Sequence, residues 1–374
     1  MKLKGLDIEV IAGPCSAESC EQLVATAKAL SAIGVKAFRA GVWKPRTKPG
    51  GFEGVGEIAL EWLQQVKSIT GMSVFCEVAT AEHLRAAVKS GIDGVWIGAR
   101  TVANPFNVQA LADALQELFA ANPNLRQMPL LVKNPVNPDV ELWCGAVERL
   151  KNAGASNIIL VHRGFSSYIP PQYSKIQRYR NSPLWHIAIE MKRRYPSMIM
   201  LCDPSHIGGS RELIAPICRQ AMELMFDGLM VESHIEPDGA LSDSAQQVTP
   251  AQLEEILSHL DVRSNRAGAE ILASLREQID VLDGEVLELL AKRMGISRQI
   301  GEIKRQNAMP ILQNERYSQL LNNRIEIAAQ MGLNEEFAKE LVELVHRYSV
   351  GVQMEDSEKS EESEESEESN PTSV

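Results

Sequence analysis

The sequence predicts a (β/α)8 barrel of the TIM type followed by an all-α domain of three helices. Eight short apolar runs alternate with helical periodicity over roughly the first 260 residues. A polar residue able to do chemistry stands at the end of each run. Near residue 268 the strand signal stops and one long helical pattern begins.

The runs fall at 8–13, 35–40, 73–79, 94–99, 129–133, 157–163, 198–203 and 228–235. Their nearly continuous apolar character is what parallel strands covered on both faces require. The count alone leaves a doubly wound open sheet in play, so the polar residues decide. Cys15, Arg39, Glu77, Arg100, Lys133, Arg163, His206 and Glu232 each lie at or just past the C-terminal end of a run. Convergence of eight strand ends on one mouth favours closure. The Pro- and Tyr-containing insert at 166–183 then becomes a surface loop near that mouth.

Beyond 268, Leu272, Leu275, Ile279, Leu282, Val286, Leu289, Ile296, Ile300 and Ile303 keep a 3,4 spacing that marks a coiled-coil-like seam running to 307. Pro310 ends it, and helices are expected at 314–331 and 334–353 with Gly332 as the break. At 1.5 Å per residue the first helix is about 60 Å long, more than two shorter helices can cover, so a homodimer through this domain is expected. The reading divides the chain into a barrel (1–262), a linker (263–268), a helical domain (269–354) and an acidic Ser/Glu tail (355–374) expected to be disordered. For that tail a solvated spacer is the simpler reading, a phosphorylatable handle the other.

Composition agrees with two cores: 374 residues, 44% hydrophobic, exceed a typical single domain. Of the net charge of −11, the tail holds −8, from nine acids and one lysine, leaving −3 for the rest. No basic stripe with interleaved aromatics stands out, which argues against nucleic acid. No stretch of about 18 apolar residues offers a membrane span. The six cysteines show no CxxC spacing and a chain this long needs no disulfide staples, so a reducing, cytoplasmic setting is expected.

Two constellations carry chemistry in the barrel. Cys15 in GPCS, His206 in DPSH, Glu232 in VESH and Asp243 in LSDSAQ are separated in sequence but fall at strand ends. A lone buried cysteine is most often a small hydrophobe and a lone histidine most often structural. Together the four form a mixed soft and hard donor set suited to a divalent transition metal such as Mn2+, Fe2+, Zn2+ or Co2+, with room for a substrate oxygen. The second constellation is cationic: Arg39, Lys44, Arg46, Arg100, Lys133 and Arg163. Charges at the ends of apolar strands are costly unless multiply charged substrates compensate them, so the mouth looks built for two phosphates and a carboxylate.

With GPCS, RAGVWKPRT, CEV, GAR, VKNP, HRG, DPSH, VESH and LSDSAQ all in order over residues 8 to 250, the sequence resembles the metal-dependent, type I beta-like 3-deoxy-D-arabino-heptulosonate 7-phosphate (DAHP) synthases. These transferases condense phosphoenolpyruvate with erythrose 4-phosphate at the head of the shikimate pathway. The resemblance implies that Cys15, His206, Glu232 and Asp243 bind the metal, with His206 also beside substrate. It implies that Arg39, Lys44, Arg100, Lys133 and Arg163 hold phosphoenolpyruvate, while Arg46 and Thr47 grip the phosphate of erythrose 4-phosphate. In the mechanism that follows, Lys44 protonates the developing alkoxide and Glu77 orients the water, unless that carboxylate only positions a neighbouring cation. The competing relative, a synthase making an eight-carbon sugar acid phosphate from arabinose 5-phosphate, carries a KANR-type segment where this chain has Lys44-Pro45-Arg46-Thr47, which favours the four-carbon acceptor.

In the helical domain Arg293 occupies a seam position between Leu289 and Ile296 where the heptad asks for an apolar residue. It reads equally as a snorkelling or register-setting residue or as a ligand-binding one. Lys304, eleven residues on, projects from nearly the same face, and two cations on one face imply an anion. Residues 270 to 353 resemble the all-helical chorismate mutases, isomerases that need neither metal nor nucleophile, through Leu275-Arg276, Lys292-Arg293, GEIK ending in Lys304, Arg316, Ser349 and Gln353. The resemblance implies that Arg293, Lys304, Arg316, Ser349 and Gln353 line one pocket. Arg276 sits about 100° around the helix from Arg293, and the family's intertwined dimer implies that it acts in the partner's pocket. Gln313 and Tyr317 stand where the family often has acids. Prephenate bound in the helical pocket is expected to inhibit the synthase. The alternatives kept open are a mutase-like domain serving only dimerisation and ligand sensing, and a sugar-acid synthase with an unrelated tail.

Overall fold

The structure, a computed structural model, describes residues 8–44, 50–166, 178–260, 269–312 and 314–367, without the side chains of 269–274, 314–316 and 355–367. Two compact units divide between Ser264 and Asn265.

Among the described residues the first unit holds eight strands: β1 (Glu9–Gly13), β2 (Ala37–Arg39), β3 (Ser73–Val78), β4 (Gly94–Ile97), β5 (Leu130–Lys133), β6 (Ile158–His162), β7 (Met200–Cys202) and β8 (Gly228–Glu232). Each pairs in parallel with the next, and β8 returns to β1 in the register Ile11↔Met230 and Gly13↔Glu232, closing the barrel. The outer ring and its connections contain α1 (Cys20–Ala32), α2 (Ile58–Thr70), α3 (Ala81–Lys89), α4 (Ala99–Val102), α5 (Pro105–Ala121), α6 (Val140–Asn152), α7 (Trp185–Arg194), α8 (Pro204–Gly208), α9 (Ile214–Glu223) and α10 (Pro250–Ser258). The expected (β/α)8 architecture is the one observed.

The two-residue side-chain period of a strand builds the site. Ile11, Ala37, Phe75, Trp96, Leu131, Ile159, Val161, Leu201 and Met230 fill the barrel interior. Their neighbours Ala12, Phe38, Cys76, Ile97, Val132, Leu160, Cys202 and Val231 point outward into the core shared with the helices. Two positions after an interior residue the chain again faces inward, now at the mouth. That is where Arg39, Glu77, Lys133, Arg163, Asp203 and Glu232 stand. Gly94 makes the interior possible, because a Cβ there would lie 2.3 Å from a ring carbon of Phe75.

The second unit comprises α11 (Ala269–Gln306), α12 (Asn314–Gln330) and α13 (Glu335–Glu367), with α13 packed on both others. Gly332, at φ +81°, makes the turn between α12 and α13. Leu275, Ile279, Leu282, Val286, Leu289, Ile296, Ile300 and Ile303 are all exposed in the single chain. The backbone of α13 is helical to Glu367. Its Ser-Glu-Glu repeats contain no glycine or proline, and glutamate is a good helix former, so a helix already nucleated by packing propagates into them.

Candidate active site

The C-terminal ends of the strands open into a cavity of about 420 Å³, lined among the described residues by five cations, Lys44, Arg100, Lys133, Arg163 and Arg180, against the carboxylates Glu77 and Asp243, with His206 beside them. Trp96, fully buried in the barrel interior, has the Arg39 guanidinium 4.7 Å and the Lys133 ammonium 6.0 Å from its ring centroid. Arg39 is buried beneath the cavity rather than in its wall. Its Nη2 donates to Glu232 at 3.2 Å, while Nε and Nη1 have no protein acceptor. Burial, Arg180 and Arg100 pull the Arg163 pKa down to about 10, against the opposing pull of Asp203. Buried donors without acceptors and a cation weakened by other cations describe a site short of anions.

The donor cluster adjoins this cavity. One ligand atom each from Cys15, Glu232 and Asp243 lies within 4.8 Å of the others. Cys15 Sγ is 3.3 Å from Asp243 Oδ2, and Lys44 Nζ donates to the same sulfur at 3.1 Å. His206 Nε2 lies 3.9 Å from Glu232 Oε1. On its other side Nδ1 is 2.8 Å from Asp203 Oδ2. That acceptor assigns the ring proton to Nδ1 and leaves the Nε2 lone pair facing the cluster.

Three of the four protonation states suit a cation, and the Cys15 thiol would have to lose its proton to one. Burial opposes ionisation of Glu232, but His206, Arg39 and Lys44 outweigh it and lower its pKa. Asp243 is likewise held down at about 2, its burial overcome by Arg180, His206 and Lys44. Burial lowers the His206 pKa despite Asp203, so the imidazole is neutral. Cys15 is pushed up to about 12 by burial and by Glu232. A thiol, two carboxylates and a neutral imidazole converging from the C-terminal ends of β1, β7 and β8 and the loop after β8 fit a divalent transition metal.

The structure brings Cys15, Lys44, Glu77, Arg100, Lys133, Arg163, His206, Glu232 and Asp243 to one mouth, with Arg39 under it; Arg46 and Thr47 lie outside the described residues. The sequence reading missed Asp203, Arg180 and the pair Gln246-Gln247. Asp203 accepts from both Lys133 Nζ, at 2.8 Å, and His206. Arg180 donates to Asp243 and Gln246. Gln246 donates to Glu232 Oε2 at 2.6 Å. Asp203 had a signal, since it stands two residues after interior Leu201.

In the helical unit Arg293 donates to Ser349 Oγ and to the Val345 carbonyl at 3.4 Å. Lys304 Nζ donates to Gln353 Oε1 at 3.3 Å. These four residues therefore gather on the facing sides of α11 and α13. Tyr317 stacks on His346 with ring centroids 4.1 Å apart, and the His346 pKa is lowered by burial and by Arg293 and Lys304. Arg276 is exposed, and its place on α11 is about 25 Å along the axis from Arg293. The side chain of Arg316 and all of Gln313 lie outside the described residues.

A closed parallel barrel with a donor cluster and surplus cations at its C-terminal mouth defines a (β/α)8 enzyme of anionic substrates, here joined to a helical unit that sets Arg293 and Lys304 of α11 against α13. The chain belongs to the DAHP synthetase I family, whose model matches residues 2–266, and it carries a chorismate mutase type II domain matched over residues 275–354. It is 32% identical over 262 residues to phospho-2-dehydro-3-deoxyheptonate aldolase of Thermotoga maritima, covering 70% of this chain and 71% of that one. A 2-dehydro-3-deoxyphosphooctonate aldolase of Synechococcus is 26% identical over 276 residues, covering 71% and 91%. The crystal structure of the Thermotoga maritima enzyme aligns with a TM-score of 0.56 at 30% identity, over 69% of this chain and 70% of that one. A truncated form of the same synthase gives 0.55 at 28%, over 69% and 88%. Both family expectations of the sequence are met. Among the described residues no helix is long and apolar enough to cross a membrane.

Proposed function

We propose that the barrel condenses phosphoenolpyruvate with erythrose 4-phosphate to DAHP and phosphate, with Cys15, His206, Glu232 and Asp243 holding a divalent ion, and that the helical domain rearranges chorismate to prephenate. One observation supports the barrel assignment above others: a thiol–carboxylate–imidazole cluster shares its Lys44 and Glu232 partners with a nest of anion-seeking cations. Arg39, Arg100, Lys133 and Arg163 would bind the phosphate and carboxylate of phosphoenolpyruvate. Arg46 and Thr47 are assigned to the phosphate of the second substrate by resemblance alone. The chemistry a bound divalent ion supplies is polarisation of the aldehyde oxygen.

Lys44 would deliver the proton that the oxygen needs once the enol carbon has attacked. Burial disfavours its charge, but Cys15, Glu77 and Glu232 more than offset this and keep the ammonium protonated. Glu77, in the cavity wall, would orient the water that adds at the former C2 of phosphoenolpyruvate before phosphate leaves. The test is a synthase assay with both substrates, before and after chelation and with metal returned. Activity lost on chelation and restored by a divalent ion supports the reading; chelator-resistant activity contradicts the metal assignment.

In the helical unit Arg293, Lys304, Arg316, Ser349 and Gln353 would hold the two carboxylates and the ether oxygen of chorismate, catalysis being positioning and charge stabilisation. The exposed seam of α11 supports a homodimer, with Arg276 completing the partner's pocket. Prephenate bound there would inhibit the synthase. A second reading, a domain that senses ligands and dimerises without turnover, draws on Tyr317 stacked against His346 where the resemblance expects an acid. Arg293→Ala separates them: abolished chorismate turnover supports the mutase pocket, and turnover unaffected by the change removes it.

A further inference from the structure

Gln247 is fully buried and is not itself one of the residues lining the cavity, yet its amide joins two of the donor-bearing loops. Its Oε1 accepts the backbone N–H of Cys15 at 2.9 Å, and its Nε2 donates to the carbonyl of Ser242, the residue before Asp243, at 2.8 Å. Asp243 sits at φ +45°, in the left-handed region that is uncommon for a non-glycine residue. A second tie runs parallel: the hydroxyls of Ser16 and Ser242 are 2.5 Å apart. The Gln247 carbonyl is itself fixed by Arg211 Nε at 2.7 Å.

We infer that Gln247 is a positioning residue for the donor cluster, setting the separation of the Cys15 sulfur and the Asp243 carboxylate before an ion arrives. An amide suits this task because one group must accept from the β1 loop and donate to the β8 loop at once, which neither carboxylate nor hydrocarbon can do. The inference rests on the reading of this cluster as a metal site. Outer groups that orient ligands typically change metal affinity 10–100-fold when lost.

The experiment titrates Co2+ into chelator-stripped full-length protein and follows the thiolate-to-cobalt charge-transfer absorption in the near ultraviolet. The parent chain shows the band and Cys15→Ala abolishes it. Gln247→Met, which keeps the volume and loses both hydrogen bonds, is expected to need 10–100-fold more cobalt for half-saturation, with a weaker band at saturation. Gln247→Glu, which keeps the acceptor and loses the donor, should also weaken binding. Unchanged affinity and band in both variants overturn the inference while leaving the metal site standing. No band in the parent, or one that survives Cys15→Ala, overturns the metal-site reading and the inference with it. Should neither variant melt cooperatively, Ser16→Ala removes only the parallel tie. It is expected to weaken cobalt binding several-fold, and unchanged binding in that variant counts against the inference.

Discussion

Asp203→Asn removes one charge from the most enclosed part of the site and leaves the shape. The carboxylate is fully buried, accepts from Lys133 Nζ at 2.8 Å, and is flanked by the backbone N–H and Nδ1 of His206 at 3.1 and 3.0 Å. Both of its oxygens therefore face donors. Whichever way the amide of an asparagine turns, its NH2 meets Lys133 or His206. Removing one partner of a buried pair typically costs about 3–5 kcal/mol. Lys133 keeps its contact with Trp96 at 6.0 Å, the outer limit of a stabilising cation–π contact, so about 3 kcal/mol is the expected loss. Metal affinity should fall 10–100-fold as well, because His206 loses the acceptor that fixes its tautomer. All five tryptophans lie in the barrel unit, so fluorescence during urea denaturation of the metal-free protein reports that unit alone. A loss under about 1 kcal/mol, together with unchanged metal affinity, would refute this account of Asp203.

Three further outcomes are expected. Burial among Phe165, Trp185 and Phe226 lowers the His162 pKa from 6.5 to about 3. The unfolded imidazole then takes up a proton before the folded one, so barrel stability falls as pH drops below 6.5, by about 1.4 kcal/mol per unit and about 2 kcal/mol by pH 5. Urea titrations of parent and His162→Phe should differ by that slope, and parallel pH dependence would remove His162 as its source. In Gly98→Ala the new Cβ would lie 2.2 Å from Glu77 Oε1, although the backbone tolerates alanine. Synthase kcat should fall on the order of 100-fold with the fold intact, and a parental kcat would take Glu77 out of the mechanism. Prephenate titrated against the synthase should lower its rate, and unchanged rates in protein shown to bind prephenate would exclude this route of control.

What the sequence revealed and what it hid divide along a physical line. Strands show as apolar runs because burial on both faces is a local demand, so all eight were legible, though each is shorter than its apolar run, β2 and β7 by half. Cys15, His206, Glu232 and Asp243 stood out because reactive side chains at strand ends are conspicuous. Gln246, Gln247 and Arg180 did not, because their role lies in hydrogen bonds to residues distant in the chain, and a glutamine that joins Cys15 to Ser242 looks locally like any other. Asp203 fell between: the two-residue period after Leu201 pointed inward, but DPSH was read for its histidine. In the helical unit the seam predicted α11 well.

X-ray absorption at the edge of a bound zinc ion tests the barrel assignment most directly. A single sulfur scatterer at about 2.3 Å beside nitrogen and oxygen at about 2.0–2.2 Å is the expected result, with the sulfur lost in Cys15→Ala. A shell of nitrogen and oxygen alone would contradict it.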